Sequence, residues 1–291
     1  MSYMSIENLY KNQMPMLFKR VWATEKIHGT SAHVKYDPEV KKLTFFPGGA
    51  DYLVFASLFN YEELYKMMEE RWGTKKVTLY GEHYGGKIMG MSATYGPKNR
   101  FVLFEVQIGD VWLSFEKVII IGAALGIDVV PGRIADATIE ALTAERERPS
   151  EQAVKCGIIE PKMREGIVIR PLVEMRMNND ERVIAKYKND IFKETTTVRE
   201  VDPNQQVILT EAEKIADEWV TEMRLTHVLD KLGNPNADKD IPNVLKAMRE
   251  DIVKESTGEI IMSQEASKAI SKKTAIMYRE RLQKKLETGG P

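Results

Sequence analysis

Short β-forming runs that do not alternate regularly with helices are the feature that most constrains the fold. Within residues 21–200, runs rich in Val, Ile, Phe and Tyr are bounded by turn-forming residues. They read KKLTFFPGG, KKVTLYGE, RFVLFEVQI, DVWLSF, EGIVIRP and RVIAKYK. A doubly wound parallel sheet needs a helix between successive strands, and this order does not supply one. The sequence therefore predicts an α+β fold with antiparallel sheets.

A few stretches between these runs have helical character. YEELYKMMEERWG predicts a helix that is closed by Gly73. FEKVIIIGAALG predicts another, ending at Gly126. DATIEALTAERER predicts a third, with Asp136 as its N-cap. These helices are expected to flank the sheets.

The pattern changes after VDPNQQ. Thr210–Glu213 has the residues of a capping box, which marks the start of a helix. Apolar residues then recur at helical spacing in three groups: Ile215, Trp219, Val220 and Met223; Ile241, Val244, Leu245, Met248 and Ile252; and Ile270, Ile276 and Leu282. We expect a boundary near residue 203, between a domain of residues 1–203 and a small all-helical domain of residues 204–291.

Charge and cysteine content exclude several classes of protein. Lys+Arg 42 is balanced by Asp+Glu 43, so no overall field indicates a polyanionic partner, although a local basic face is compatible with this balance. Cys156 is the only cysteine, which excludes internal disulfides and a cysteine-built zinc site. The first residues lack the apolar core of a signal peptide, and no apolar run approaches the ~20 residues of a membrane helix. We expect a reducing, cytoplasmic setting without membrane attachment.

One glycine-rich stretch imitates a phosphate-binding loop. Gly81–Lys87 matches the G-x-x-x-x-G-K skeleton of a P-loop. However, Ile88 stands where the magnesium-binding Ser or Thr is needed, and Glu82 places negative charge inside the cradle. The glycines are better explained as a turn after the strand KVTLYGE. The histidines show no H-E-x-x-H spacing and no G-x-S-x-G elbow occurs, so zinc and serine hydrolases are not indicated.

Four segments place charged residues beside β-like runs. They are EKIHGT (25–30), YGEHYGG (80–86), REGIVIRP (164–171) and IAKYKND (184–190). Lys186 and Lys188 are two residues apart in a predicted strand, so both side chains point to the same face. Two neighbouring cations favour an anion, such as a phosphate, between them. An exposed strand face with two lysines remains the alternative, and Lys26 could equally be a solvated surface lysine.

Taken in order, these segments resemble the nucleotidyltransferase motifs of ATP-dependent polynucleotide ligases, and most closely the RNA ligase 2 family of T-even phage type. EKIHGT matches the K-x-x-G nucleophile motif, YGE the motif III glutamate, EGIVIR motif IV and KYK motif V. RFVLFEV is similar to the segment whose first aromatic residue stacks on adenine, and WVTEMRLTHVLDKLG resembles the helical C-terminal domain of the family. The resemblance therefore covers about the whole chain.

The resemblance implies a nucleotidyltransferase domain with antiparallel sheets flanked by helices, and an RNA ligase that seals 3′-OH/5′-phosphate breaks through a lysyl–AMP intermediate. It implies ATP and Mg²⁺ (or Mn²⁺), and as partner a nick in duplex RNA or in an RNA-containing hybrid. If the protein is phage-encoded, its setting is the host cytoplasm. In the implied site, Lys26 is the nucleophile, Lys186 and Lys188 contact the transferring phosphate, and Glu165 holds the metal. Glu82 binds the ribose, Phe101 stacks on adenine, and the backbone around Glu25 and Ile27 contacts the adenine edge. Further nucleotide contacts are implied for His28, Gly29 and Arg170.

The sequence departs from the family in two places, and one of them is Ser31, which follows Thr30 where Asn is frequent. The other is a missing arginine. In some members an arginine after the nucleophile strand contacts the ribose. Here no arginine occurs between Arg20 and Arg71, and the stretch reads FFPGGADYLVFASLFN. The way in which the ribose is held on that side is therefore open.

Other interpretations remain. A DNA ligase, or an mRNA capping enzyme that uses GTP, shares the motifs but normally carries a β-rich oligonucleotide-binding domain after motif V. A catalytically inactive nucleic-acid clamp would keep the fold, although the intact Lys26, Glu165, Lys186 and Lys188 argue against it. For Phe101, plain core packing is the alternative to adenine stacking.

The last predicted helix is rich in basic residues. They are Lys272, Lys273, Arg279, Arg281, Lys284 and Lys285. With few acids between them, these residues predict a surface that grips RNA phosphates. The alternative is a solvated amphipathic helix.

Overall fold

This computed structural model describes residues 3–177, 180–196 and 211–287. The chain divides into two compact units, Met1–Asn189 and Asp190–Pro291. The predicted boundary near residue 203 lies outside the described residues, and so does Thr210 of the predicted capping box.

In the part of unit 1 that the structure describes, nine strands form two sheets, and each strand pairing is antiparallel. The strands are β1 Arg20–Lys26, β2 Thr30–Asp37, β3 Lys42–Phe46, β4 Val77–Gly85, β5 Asn99–Ile108, β6 Val111–Trp112, β7 Gly132–Asp136, β8 Gly166–Pro171 and β9 Ala185–Lys188. The first sheet has the order β7-β1-β8-β9 and the second the order β3-β2-β4-β5-β6. The predicted α+β class with antiparallel sheets is confirmed.

Within the described ranges, six α-helices accompany the sheets and four more lie in unit 2. They are α1 Tyr52–Ala56, α2 Tyr61–Trp72, α3 Ser92–Tyr95, α4 Phe115–Leu125, α5 Ile139–Arg146, α6 Glu151–Lys155, α7 Ala212–Trp219, α8 Glu222–Lys231, α9 Ile241–Glu255 and α10 Gln264–Glu287. α2 ends at Gly73 and α4 at Gly126, as predicted, and both glycines have positive φ.

The predicted N-cap of α5 is wrong. Asp136 is the last residue of β7, where it pairs with Arg20. Thr138 is the N-cap instead, since its Oγ1 accepts a hydrogen bond from the N–H of Ala141. β7 extends further than the sequence pattern indicated. Thr138, the next residue with a suitable hydroxyl group, therefore caps α5.

The core of unit 1 is built on one face of the second sheet. Val34, Leu79 and Val106 are opposite one another on β2, β4 and β5, and all three are fully buried. Each such aliphatic side chain contributes roughly 1.5–3 kcal/mol relative to an exposed one. The alternation of apolar and polar residues along these strands thus leaves the opposite face for polar chemistry.

A buried ion network joins the two sheets of unit 1. Glu105 on β5 accepts hydrogen bonds from Arg170 on β8 (2.6 Å), from Arg182 (2.6 and 2.9 Å) and from the Tyr3 hydroxyl (2.8 Å). Burial alone would raise the pKa of Glu105, but the two guanidinium groups lower it below its usual value. A buried carboxylate of this kind is stable only because its partners are present.

Unit 2 packs its helices around a second apolar core. Ile215, Trp219 and Val228 are among its fully buried members. The predicted single helical face through Met223 is wrong, because the chain leaves α7 at Val220 and α8 begins after Thr221, whose Oγ1 accepts the N–H of Arg224. Thr221 is a good N-cap, and it therefore starts a new helix where the apolar spacing alone suggested continuity.

The long last helix that the sequence predicts is present as α10. Ile270 is buried in it, whereas Ile276 is 48% exposed. The residues that face the core are Ala266, Ile270, Thr274 and Tyr278, at intervals of four. Ile276 lies two residues off that stripe and therefore on another side of the helix. Among the helices of the described ranges, none combines the length and apolar composition that crossing a bilayer requires.

Candidate active site

Two lysines flank a glycine on one face of the first sheet. Lys26 on β1 is opposite Gly166 on β8, and Gly166 is opposite Lys188 on β9. Directly opposed residues of neighbouring strands project to the same face. A Cβ at Gly166 would lie 2.3 Å from the carbonyl oxygen of Tyr187, so no side chain fits there. Glycine at this position therefore allows the backbones of β8 and β9 to approach closely between the two lysines.

Glu165 is the centre of this cluster. Its Oε2 is 2.8 Å from Nζ of Lys26 and 3.6 Å from Nδ1 of His28, and its Oε1 is 3.3 Å from Nζ of Lys188. The carboxylate is 2% exposed. Burial alone would raise the pKa of Glu165, but Lys26, Lys188 and His28 together hold it well below the usual range. Glu165 therefore stays ionised and fixes both lysines.

Lys186 lies on the same face as Lys188. It is opposite Val168 on β8, two residues along the strands from the row of Lys26, Gly166 and Lys188. The prediction that both lysines share a face is thus confirmed. The backbone of Lys186 also pairs with the N-terminal segment. Its N–H donates to the carbonyl of Glu7, and its carbonyl accepts the N–H of Leu9.

A second carboxylate approaches Lys26 from the other sheet. Glu82 lies on β4, and its carboxyl group is close to the N–H of Gly29. Burial raises the pKa of Glu82 to about 8, and the negative charge of Glu165 adds to this effect, while Lys26 opposes it. At neutral pH one carboxyl group is thus ionised and the other is mainly protonated. Two carboxyl groups whose pKa values are pushed apart are typical of reactive sites.

Gly29 is required for the close approach of the segment after Lys26 to β4. A Cβ at this position would lie 2.4 Å from the carbonyl oxygen of His83 and 2.9 Å from Cβ of Tyr84. The glycine of the K-x-x-G pattern is therefore explained by contact with the neighbouring strand, which places Lys26 and Glu82 side by side. His28, the residue before it, is buried and donates its N–H to the Tyr95 hydroxyl at 3.3 Å.

The side chains of Glu25 and Ile27 point into the protein. The Glu25 carboxylate accepts hydrogen bonds from Ser150 and from the first N–H groups of α6, and its own N–H donates to the carbonyl of Pro131 at 2.7 Å. Ile27 is 3% exposed and belongs to the core. Both residues therefore anchor the strand end that carries Lys26. Their contact with the adenine edge stays a prediction.

Phe101 and Arg170 lie in packed surroundings. Phe101 is 9% exposed, and its ring centroid is 5.6 Å from that of Phe55 and 5.4 Å from that of Phe59. This arrangement supports the core-packing alternative, and adenine stacking stays a prediction. Arg170 is opposite Trp22, four residues along β1 from Lys26, and is bound to Glu105. The structure therefore does not bring Arg170 into the Lys26 cluster.

The glycine-rich stretch that imitated a P-loop is mainly a strand. Gly81 and Gly85 both belong to β4, so their N–H groups do not form a cradle. Gly85 and Gly86 have φ of 78° and 57° and turn the chain after the strand. The interpretation of these glycines as part of a turn is confirmed for this pair.

Several residues that support the site gave no signal in the sequence. Ser150, which holds Glu25, is 125 residues away from it, and Glu105 is 65 residues away from Arg170. Ser150 precedes a short helix and could have been recognised as an N-cap. The partner of its hydroxyl depends on tertiary structure and could not.

The donor set fits a strongly hydrated magnesium ion. Within the described residues there is no group of three or more His, Cys, Asp or Glu side chains that could hold a metal. Mg²⁺ keeps several waters and needs only one or two carboxylates. The negative charge of Glu165 contributes to the raised pKa of Glu82, and such a cation would oppose this effect. The residues present therefore suit a water-rich site and do not suit an all-protein cage.

The candidate site combines three lysines with two carboxyl groups, one of them buried and ionised, at two antiparallel sheets. This combination is suited to phosphoryl or nucleotidyl transfer. The model of the RNA ligase family matches residues 19–188, which include the whole Lys26 cluster and more than half of the 291 residues. The chain belongs to the RNA ligase family.

Solved structures share this fold. A mutant RNA ligase of Naegleria gruberi with AMP and Mn has a TM-score of 0.51 and 15% identity, and the match covers 66% of this chain and 57% of that chain. A second mutant of the same ligase, with ATP and Mn, has a TM-score of 0.50 and 16% identity over the same shares. The chain thus matches little more than half the length of these structures, and the likeness concerns the fold. No curated protein matches the chain.

Proposed function

We propose that the protein is an ATP-dependent RNA ligase that seals 3′-OH/5′-phosphate breaks, and that its substrate is a nick in duplex RNA or in an RNA-containing hybrid. The observation that carries this proposal is the cluster in which Lys26 and Lys188 share the buried Glu165 carboxylate beside Gly166. The cluster provides an amine and a second cation at one small site. It lies inside the segment that matches the RNA ligase family.

Three displacements at phosphorus make up the proposed reaction. Nζ of Lys26 attacks the α-phosphate of ATP and pyrophosphate leaves, so that a lysyl–AMP phosphoramide forms. The AMP then passes to the 5′-phosphate of the RNA, which frees Lys26. Finally the 3′-OH attacks that activated phosphate and AMP leaves. In each step charge spreads over phosphoryl oxygens, so positioning and nearby cations dominate the rate.

The remaining side chains take roles that follow from their positions. Lys188 and Lys186 would stabilise the charge on the transferring phosphate, since both lie on the face of Lys26. Glu82 would bind a ribose hydroxyl, and with a pKa of about 8 it can donate or accept a hydrogen bond near neutral pH. His28 would hold Glu165 in place. These assignments also match the family motifs.

Glu165 would hold a magnesium ion, mainly through water molecules. When bound, that ion would supply positive charge that neutralises the phosphates. The neighbouring structures contain Mn together with AMP or ATP, and this supports the use of ATP and a divalent metal here. The residues of this chain keep the Lys26 amine and the ionised Glu165 in contact before the nucleotide arrives.

One experiment tests the proposal against its alternatives. The protein is incubated with Mg²⁺ and labelled ATP or GTP, and nicked duplexes of RNA, DNA or hybrid are then offered. We expect label on the protein from ATP, and the fastest sealing for an RNA-containing nick. Label from GTP would indicate a capping enzyme, and preference for DNA nicks a DNA ligase. Absence of label would indicate an inactive clamp.

We also propose that unit 2 grips the RNA backbone. Lys268, Lys272 and Arg279 are exposed on α10, at spacings of four and seven residues that place them on one side of the helix. Lys273 and Arg281 serve another purpose, because Lys273 pairs with Asp217 on α7 at 2.9 Å and Arg281 donates to Thr226 on α8 at 2.8 Å. Of the six residues predicted from the sequence, Lys272 and Arg279 lie on this side of α10, Lys284 is also exposed, and the side chain of Lys285 lies outside the described part of the chain. Lys268 was not among the predicted residues.

Replacing Lys268, Lys272 and Arg279 together by alanine is expected to weaken RNA binding and to flatten its salt dependence. Each lost phosphate contact lowers the log–log slope by roughly 0.7–0.9, so the slope should fall by roughly 2–3. The measurement is the affinity for RNA at salt concentrations from about 50 to about 300 mM, a range that includes the usual ionic strength of about 0.1 M. Formation of the AMP adduct should be unaffected.

The matched control removes three other exposed lysines of unit 2, Lys214, Lys246 and Lys254. The control changes net charge equally and should leave most of the slope intact. An equal loss of slope in both variants would show that only net charge matters and that α10 has no specific contact with RNA.

A further inference from the structure

The strand that carries Lys186 and Lys188 lies at the edge of its sheet. β9 is the last strand in the order β7-β1-β8-β9, and it has only four residues. An edge strand leaves a row of backbone N–H and C=O groups without partners in the sheet. On this outer side β9 bonds to the N-terminal segment, residues 3–9, through residues 7 and 9.

Both backbone groups of Lys186 are bonded to the N-terminal segment. The N–H of Lys186 donates to the carbonyl of Glu7 at 2.8 Å, and the carbonyl of Lys186 accepts the N–H of Leu9 at 2.8 Å. In an antiparallel pair, every second residue turns both backbone groups away from the partner strand, and Lys186, opposite Val168, is such a residue. Leu9 itself is fully buried, although it lies in a turn. The backbone of Lys186 is therefore held from the side of the N-terminal segment, and Leu9 anchors that segment.

The other end of the N-terminal segment is attached to the second sheet. The Tyr3 hydroxyl donates to the buried Glu105 at 2.8 Å, and the centroid of the Tyr3 ring is 5.3 Å from that of Tyr80. Tyr80 and Glu82 are two residues apart on β4, so they lie on the same face of that sheet. The segment thus joins the strand of Lys186 to the sheet that carries Glu82.

We propose that the N-terminal segment is a positioning element for Lys186, and that Leu9 is the residue through which it is anchored. The inference rests on the proposed function, because it takes Lys186 to act at the transferring phosphate. By joining β9 to the second sheet, the segment sets the position of Lys186 relative to Glu82. Protection of an edge strand against aggregation is the alternative role, and it would not involve the Lys186 side chain.

Leu9→Ala removes the anchor and leaves every residue of the candidate site unchanged. We expect the maximal rate of AMP-adduct formation to fall about tenfold, because a displacement of less than about 1 Å at a reacting phosphate is already costly. The ATP concentration that gives half the maximal rate should change by less than about twofold, since the contact is made mainly in the transition state. Leu9→Met conserves the volume and should stay within about twofold of the wild-type rate. Leu9→Val should act in the same direction as Leu9→Ala, and it decides the result if Leu9→Ala does not fold.

Leu64→Ala is the matched control for a general loss of stability. Leu64 lies on α2, is 5% exposed and belongs to the core of unit 1, outside the candidate site. This variant should unfold at a lower temperature and keep the maximal rate within about twofold, when rates are measured well below each melting temperature. An equal fall in the rates of Leu9→Ala and Leu64→Ala would show that Leu9 contributes only to stability, and would overturn the proposal.

Lys186→Ala tests whether Leu9 acts through Lys186. Alone, this change should slow adduct formation about tenfold, because a charge that stabilises the transferring phosphate is lost. Leu9→Ala should then slow Lys186→Ala by less than about twofold further, since the side chain that the segment positions is already missing. Independent effects that multiply to about a hundredfold would overturn the proposal.

The remaining outcomes separate this inference from the proposed function. A wild-type rate in Leu9→Ala, or in Lys186→Ala, would overturn the inference and leave the ligase activity in place. A wild type that forms no AMP adduct would overturn the proposed function together with the inference.

Discussion

Replacement of Lys26 by alanine is expected to abolish the mass gain of one AMP that we expect for the wild-type protein after incubation with ATP and Mg²⁺. The loss should exceed about 10³-fold, because removal of the attacking group leaves no covalent route. Lys26→Arg should fail as well, since a guanidinium stays protonated and cannot attack phosphorus. Intact-mass spectrometry of each variant at equal protein and ATP concentrations measures the effect.

Lys87→Ala provides the matched control for this result. Lys87 is exposed and ends the stretch that imitates a P-loop, but it lies after the strand and outside the Lys26 cluster. This variant should gain AMP at the wild-type rate. An adduct that persists in Lys26→Ala and disappears in Lys87→Ala would move the nucleophile to the glycine-rich turn and would refute the assignment.

Local patterns predicted the fold class and several helix ends. Gly73 and Gly126 ended helices as expected, because a positive φ at a C-cap is a local requirement. The errors came from competition between neighbouring signals. Asp136 is a good N-cap residue, yet β7 extends to it by pairing with Arg20, more than a hundred residues earlier in the chain. The helix break at Val220 similarly reflects Thr221, which caps α8 and outweighs the continuous apolar spacing.

The candidate site was partly predictable from the sequence for a similar reason. The common face of Lys186 and Lys188 follows from strand periodicity alone. The contact between Lys26 and Glu165 spans 139 residues and depends on the register of β1 with β8, which nothing local specifies. Arg170 shows the limit of a motif, since its sequence context fits a nucleotide contact while its guanidinium is bound to the buried Glu105.

Replacement of Glu165 by glutamine should have the second largest effect. The carboxylate holds the ammonium groups of Lys26 and Lys188 at 2.8 and 3.3 Å, and an amide cannot balance two positive charges. Without that charge the two amines would repel each other and move apart. A misplacement of about 1 Å can cost about 10²-fold in rate, so the rate of adduct formation should fall by about 10² or more. Glu165→Asp should restore part of the rate, because it keeps the charge and shortens the reach.

The pH dependence of the stability of Glu165→Gln distinguishes the loss of charge from a loss of side-chain packing. Because folding lowers the pKa of Glu165, its ionised form stabilises the native state above the unfolded pKa of about 4.3, and this contribution disappears as the pH falls further. Urea unfolding should therefore show wild type more stable than Glu165→Gln at pH 7, with a smaller difference near pH 4. Rates are compared well below the melting temperature of each variant, so that unfolding does not contribute. A Glu165→Gln variant that forms the adduct at the wild-type rate, with a stability difference independent of pH, would show that the charge of Glu165 neither positions the lysines nor serves the reaction.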